Sequence, residues 1–200
     1  MKTLFLGSKS RSRQELLQQA GIQFQLVGQD ADETCCDWNL PFEDVVKSIA
    51  VHKMEHVILP ADKKNSVCFV LTADTLTCNA DGCIEGKPVH RDDAIRKIKA
   101  ASHGTVTGTA FCLDKKIWTH DTWGTDQRIV CYAQGRCSFV VPDSWLEIYL
   151  AQPFVYSSAG AIFVEGFGAQ FMRDVHGSYS AIIGLPMFEL REALTQIGFF

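Results

Sequence analysis

The sequence predicts an α/β fold, and three observations carry that prediction. The runs Leu4 to Leu6 and Ser66 to Leu71 are short and almost wholly apolar, as strands buried on both faces are. Segments of helical period alternate with them, above all Pro41 to Ile58 and Met187 to Ile197. Between Thr105 and Val141 the chain turns to strand-forming runs separated by polar breaks, the pattern of antiparallel strands.

Two hundred residues suit one large domain or two small lobes sharing a cleft. No repeat, low-complexity linker or charge block divides the chain, so residues 1–200 read as one interleaved unit. Apolar residues make up 46% and charged residues 21%, ordinary for a soluble globular protein. A formal net charge of -4 argues against bulk attraction to nucleic acid, so any polyanion site must be local. No apolar run approaches the ~20 residues that a membrane span needs, and Met1 to Leu6 is too short for a signal-peptide core. The expectation is a cytoplasmic protein with neither nucleic acid nor membrane as partner. The eight cysteines include no CxxC pair, which disfavours structural zinc, and they read mostly as small buried hydrophobes.

The elements follow in order. The first strand breaks at Gly7 and Ser8, Ser10 is a fair N-cap, Leu16 and Leu17 open the buried face of a helix, and Gly21 is placed to end it. Backbone N–H groups, the hydroxyls of Ser8 and Ser10 and the guanidinium groups of Arg11 and Arg13 gather at this turn. That inventory suits phosphate, and an ordinary turn with solvated arginines has the same pattern. Phe24 to Val27 reads as a second strand. Asp30, Asp32 and Glu33 follow in a loop that is either simply solvated or able to hold a hard divalent cation. The helix Pro41 to Ile58 carries His52 and Lys53, and Pro60 closes it. The strand Ser66 to Leu71 delivers Thr72-Ala73-Asp74-Thr75, and an aspartate at the end of a buried strand is a common catalytic placement.

Leu76 to Cys78, a turn at Asn79 to Gly82, and Ile84 read as a hairpin. Gly86-Lys87-Pro88 is a rigid turn displaying one lysine, and Asp92 to Ala101 is a short helix. Strands are expected at Thr105 to Leu113, Ile117 to Thr119, Arg128 to Ala133 and Ser138 to Val141. Asp114 to Lys116 and Trp123 to Thr125 read as their turns, with His120 and Asp121 as surface groups near a hairpin tip. Pro142-Asp143-Ser144 caps a helix at Trp145 to Leu150. Strands at Ala161 to Val164 and Phe171 to Asp174, a turn at Gly177 to Ser180 and the helix Met187 to Ile197 complete the chain. The glycines around Glu165 allow close approach of the backbone to a ligand, or punctuate a hairpin.

Taken together, several of these stretches resemble the Maf family of nucleoside triphosphate pyrophosphatases. Ser8, Ser10, Arg13, Leu16 and Leu17 match its Ser-x-Ser-Pro-Arg-Arg-x-x-Leu-Leu opening. Asp30 to Glu33 resembles its Asp-x-Asp-Glu loop, Lys53 the lysine of its second helix, and Ala73-Asp74-Thr75 its Ala-Asp-Thr. Gly86-Lys87-Pro88, Ser102-His103, Thr107-Gly108, Ala159-Gly160-Ala161, Glu165-Gly166, Gly177-Ser178-Tyr179-Ser180 and Ile183-Gly184-Leu185-Pro186 continue the match. The matches are collinear from Met1 to about Leu194. The chain departs from the pattern at Arg11, which replaces a proline, and at Ser12 and Ala101, which each replace a cation. Lys99-Ala100-Ala101 and Ser157-Ser158 also differ, and Cys112 to Cys137 is longer than the family norm.

The resemblance implies a mixed, twisted sheet with flanking helices, two lobes around a cleft, an ITPase-like architecture and a homodimer. It implies cleavage of a nucleoside triphosphate between its α and β phosphates, giving the monophosphate and pyrophosphate, with Mg2+ or Mn2+ as cofactor. Nucleotide-pool housecleaning is the implied role. A nucleotide-binding regulator of cell division or septum formation, with low turnover, is the alternative. In this reading Asp74 and Glu33 hold the metal and orient or deprotonate water, while Arg13, Lys53 and Lys87 neutralise phosphate charge and Ser8 and Ser10 donate to it. Three positions sort the base in the family, held here by Ser12, Thr75 and Glu165. Arg, Thr and Gln mark the thymidine and uridine branch, and Trp, Gln and Glu the 7-methylguanosine branch. This chain matches neither, and the acceptor oxygens of Glu165 favour a guanine-like or other donor-bearing base.

Overall fold

A computed structural model describes residues 2–62 and 66–200, and the chain is mixed α/β as expected. Nine strands are described: β1 (Leu4–Leu6), β2 (Phe24–Leu26), β3 (Gly28–Gln29), β4 (Val57–Ile58), β5 (Val67–Asn79), β6 (Ile84–Glu85), β7 (Thr105–Thr119), β8 (Thr122–Phe139) and β9 (Met172–Gly177). The described α-helices are α1 (Arg11–Gln19), α2 (Phe42–Glu55), α3 (Arg91–Ala101), α4 (Leu146–Leu150), α5 (Tyr179–Ile183) and α6 (Met187–Gln196). Among the described residues the main sheet runs β2-β1-β5-β7-β8-β9, with β6 beside β5, and β3 pairs with β4 separately. None of the helices is long and apolar enough to cross a membrane.

The chain divides into two compact units, each built from separated segments. The first comprises Met1–Asp74, Thr109–Ala133 and Gly184–Phe200. In it β1 lies parallel to both β2 and β5, with Leu4, Phe5 and Leu6 opposite Phe69, Val70 and Leu71. Leu4, Leu6, Phe69 and Leu71 meet Leu17, Phe111, Leu113, Leu185, Leu190 and Leu194 in one core cluster. The other face of the sheet carries Phe5, Cys68, Val70 and Cys112, which pack with Met54 of α2. Helix α1 ends as Gly21 predicts. Gly21 takes φ +70°, its N–H reaches Gln18 O, and Ile22 N–H reaches Leu17 O, a Schellman stop with Leu17 and Ile22 both in the core.

The second unit comprises Thr75–Gly108 and Gln134–Ile183. The β5–β6 hairpin is present, with Thr77 opposite Glu85 and Cys78 opposite Ile84. β9 pairs antiparallel with β8, with a bulge at Ser138/Phe139. The core of this unit gathers Ala94, Ile98 and Ala101 of α3 with Phe139, Tyr149, Val155, Val164 and Phe171. Phe139, Tyr149 and Phe171 are in mutual edge or tilted contact, centroids 5.4–6.0 Å apart.

Several elements differ from the sequence reading, each for a physical reason. Helix α2 stops at Glu55, and Val57–Ile58 leave it to pair with Gly28–Gln29. Asp114 to Lys116 is no turn but the middle of β7. Asp114, fully buried, receives Arg128 Nε and Nη2 at 2.7 Å each and Lys116 Nζ at 3.0 Å, and Lys115 pairs with Asp126 at 2.7 Å. Cross-strand partners thus neutralise a polar run that reads as a loop. Trp123 to Thr125 likewise lies within β8, Trp123 donating to Pro60 O at 2.7 Å. The true connection is His120-Asp121, both exposed and both at positive φ, the conformation of a type I′ hairpin turn. Ala161 to Val164 is not a strand. Tyr149 Oη donates to Ala161 O at 2.9 Å and accepts from Phe163 N at 3.2 Å, claiming groups a ladder would use.

The cysteines are less uniformly buried than expected. All are free; Cys68, Cys112 and Cys137 are buried, Cys35 and Cys83 are exposed, and Cys36, Cys78 and Cys131 lie between. Burial pushes the thiols of Cys68 and Cys112 up to about 12. Titration of the native protein with an aromatic disulfide near pH 8 is expected to modify Cys35 and Cys83 first. Cys68 and Cys112 should react only after denaturation, and rapid native labelling of Cys112 would contradict this packing.

Candidate active site

The site begins with a parallel strand pair. β1 ends at Leu6 opposite Leu71, while β5 runs on to Asn79, so Asp74 lies within β5 rather than at its end. It still stands beyond the carboxyl end of the neighbouring β1, where open parallel sheets bind ligands. Its carboxylate is buried, with its side chain only 8% exposed. Lys53 comes from the last turn of α2, whose apolar residues Val45, Val46, Ile49, Ala50 and Met54 fix the helix face. Thr72 Oγ1 donates to Ala50 O at 2.8 Å and ties β5 to that helix. Lys53 is therefore buried, not the surface charge a lone helical lysine usually is.

Lys53 Nζ lies 2.6 Å from Asp74 Oδ1 and 2.9 Å from Glu33 Oε1. Glu33 opens a single 3₁₀ turn, Glu33–Cys35, and remains exposed. Asp32 caps that turn, accepting from Thr34 N at 3.0 Å and Thr34 Oγ1 at 2.7 Å, which holds its carboxyl below its ordinary value. Asp30 is exposed. The acidic loop thus contributes Glu33 to the buried lysine, while Asp32 serves the loop itself. Among the described residues, no three His, Cys, Asp or Glu side chains form a metal cage.

Arg13 is also buried. Its Nε donates to Gly184 O at 2.8 Å and its Nη1 to Ser8 Oγ at 3.1 Å. Desolvation lowers its pKa, and the charges of Asp74 and Glu33 act in the opposite sense. Ser8 Oγ also accepts from Ser10 N at 3.3 Å, so this hydroxyl organises the turn. Ser10 is the N-cap of α1 by backbone position, but its side chain makes no capping hydrogen bond. Ser12 is half-buried in the first turn of α1, and Arg11, exposed, pairs with Glu15 at 2.6 Å.

The first unit therefore brings Glu33, Lys53 and Asp74 into contact and joins Ser8 to Arg13. Two carboxylates and two cations share one neighbourhood. Asp74 Oδ2 is the exception within it, a buried carboxylate oxygen without a hydrogen-bond partner among the described residues. An unsatisfied carboxylate oxygen of this kind is a ready acceptor for water or a hard cation.

Thr75, Lys87 and Glu165 belong to the second unit. Thr75 is half-buried in β5, and Lys87 is exposed on the turn after β6. Glu165 is half-buried and precedes a 3₁₀ stretch, Gly166–Phe171. Its carbonyl accepts from Gly168 N at 2.9 Å, and a Cβ at Gly168 would sit 1.5 Å from Phe163 O, so only glycine closes this loop. The charge of Glu165 adds to burial in raising the Tyr179 hydroxyl pKa. Sequence reasoning missed the group beneath the Lys87 turn: Glu85, Asp93, Arg96 and Lys97. The signal was present, because Arg91–Ala101 places charged residues at positions 93 and 97 on one helix face.

Comparison with known proteins agrees with this architecture. The family model described as Maf-like protein matches residues 3–197. A protein of Hydrogenovibrio crunogenus is 34% identical over 203 residues, covering 100% of this chain and 98% of that one. Relatives from Caldicellulosiruptor bescii and Geotalea uraniireducens are 31% and 34% identical, covering 100% and 98% of this chain and 96% and 95% of their own. All three carry the name dTTP/UTP pyrophosphatase. The chain belongs to the Maf-like family.

Proposed function

We propose that this protein is a metal-dependent nucleoside triphosphate pyrophosphatase, converting a nucleoside triphosphate to its monophosphate and pyrophosphate. The observation that carries the reading is the buried Asp74, paired through one oxygen with Lys53 and unsatisfied at the other. Asp74 and Glu33 fit Mg2+ or Mn2+, since hard cations of this class take one or two carboxylates and complete their shell with water and phosphate. When bound, such a cation would supply charge neutralisation at the phosphates. The chain's own part is to hold the Asp74 carboxylate beside Lys53, where it can accept a proton from water, while Arg13, Lys53 and Lys87 are the proposed partners of phosphate charge. Ser8 and Ser10 are the proposed hydroxyl donors. A low-turnover regulator of cell division has less support, because the carboxylates and lysine that catalysis needs stand in direct contact. The housecleaning role and the homodimer belong to this proposal through the family resemblance, and the cytoplasmic location through the sequence reading.

The names of the relatives favour thymidine and uridine triphosphates, whereas Ser12 and Glu165 favour a base that donates hydrogen bonds. Pyrophosphate release against a panel of nucleotides, with Mg2+ or Mn2+ and with chelator, tests the activity. No release from any nucleotide would refute it. The Glu165→Gln variant tests the base reader, and it is expected to move preference toward uridine-type substrates by about tenfold or more. An unchanged ranking would remove Glu165 from that role.

A further inference from the structure

Lys97 is a buried lysine on α3 that the proposed chemistry does not use. Burying an ammonium is costly unless it is paired and fully hydrogen-bonded, and here it is both. Its Nζ donates to Gly86 O at 3.0 Å and to Lys87 O at 3.1 Å, and lies 3.0 Å from Asp93 Oδ2. An ammonium has three donors, and these contacts occupy all three. Two of them grip consecutive carbonyls of the turn that displays Lys87. Glu85 stands 3.9 Å from the same nitrogen and is held by Arg96 through two bonds of 2.8 Å and by Asn79 Nδ2 at 3.1 Å. Gly160 N also donates to Gly86 O at 3.1 Å, and Pro88 restricts the backbone on the far side.

Two carboxylates and two cations therefore balance within this cluster. Lys87 lies outside it. Its side chain is exposed and takes part in no ion pair among the described residues. Lys97 spends its charge on Asp93 and Glu85 and its donors on the backbone of the turn, leaving the charge of Lys87 available to a ligand.

We infer that Lys97 is a positioning residue, acting through Lys87 by fixing the Gly86-Lys87-Pro88 turn. The inference rests on the proposed phosphate-binding role of Lys87. A double-mutant cycle tests it, with pyrophosphate release measured for wild type, Lys87→Ala, Lys97→Met and the double variant, below the melting temperature of each. Lys97→Met is expected to lower kcat/KM by about 10- to 100-fold, the scale of an ångström-level misplacement. The double variant should be no worse than Lys87→Ala alone, because the second change removes what the first already lost. Lys97→Arg, which keeps charge and donors, should recover most of the activity. Additive losses, or a full-strength Lys97→Met, would overturn the positioning role. A silent Lys87→Ala would instead remove Lys87 from the phosphates, and an inactive wild type would remove the proposed function itself. Should Lys97→Met fail to fold, the cycle is repeated with Lys97→Gln, which keeps a polar group in the site, and the same outcomes apply.

Discussion

Asp74→Asn is expected to leave a folded protein that has lost about 10²–10⁴-fold in kcat, the range that a positioned proton acceptor contributes. Asparagine keeps the shape of the side chain and its contact with Lys53, but it removes the charge and replaces one acceptor oxygen with a donor. The position demands a carboxylate for no packing reason, since its neighbours Ala73 and Leu71 are apolar and buried. Lys53 retains Glu33 as a counter-charge, so the protein should still fold, with an unchanged far-ultraviolet spectrum. The decisive comparison is single-turnover pyrophosphate release by folded variant and wild type. A rate within a few-fold of wild type would exclude Asp74 from the chemistry.

The second large effect falls on stability and lies at Asp114. This carboxylate has no solvent exposure and is held by Arg128, Lys116 and Thr125, while Arg128 also reaches Glu55. Removing one partner of a buried ionic group costs about 3–5 kcal/mol, because the charges left behind lose their compensation. Asp114→Asn should therefore lower Tm on the order of 10 °C, measured by differential scanning calorimetry. Burial alone would raise the Asp114 pKa, but the hydrogen bonds from Arg128 and Lys116 outweigh it and hold the carboxyl below its ordinary value. A depressed folded-state pKa stabilises the fold at pH above the unfolded value, about 3.9. That contribution is lost as pH falls through the folded value. The wild type should thus show a steeper acid loss of stability than Asp114→Asn, and parallel acid limbs would contradict the sign.

The same residue shows where sequence patterns lose their power. Asp-Lys-Lys between apolar runs carries a local turn signal, and nothing local reveals that Arg128 and Asp126 wait on the next strand. The apolar strands around Leu4 and Phe69 were legible because burial on both faces leaves a continuous hydrophobic run. Asp74 was legible for the complementary reason, as a charge in such a run. The pairing of Lys53 with Glu33 and Asp74 could be suspected only through family resemblance, since three distant segments supply it. The Ala161 to Val164 stretch misled because its pattern suits a strand while a buried tyrosine hydroxyl takes its backbone groups. Lys97 was hidden by its chemistry, since a lysine on a helix is ordinarily solvated.

The three segments that build the first unit also bear on how the protein is made. Its amino-terminal strand pair lays Leu4, Leu6, Phe69 and Leu71 on one face, yet Leu185, Leu190 and Leu194, which cover that face, belong to Gly184–Phe200. A ribosome releases that segment well after the strands it covers. Until then the nascent sheet presents a bare apolar surface, a condition that favours aggregation and calls for chaperone protection. Proteins shortened before Gly184 should accumulate as insoluble material even though they retain Ser8, Arg13, Glu33, Lys53 and Asp74.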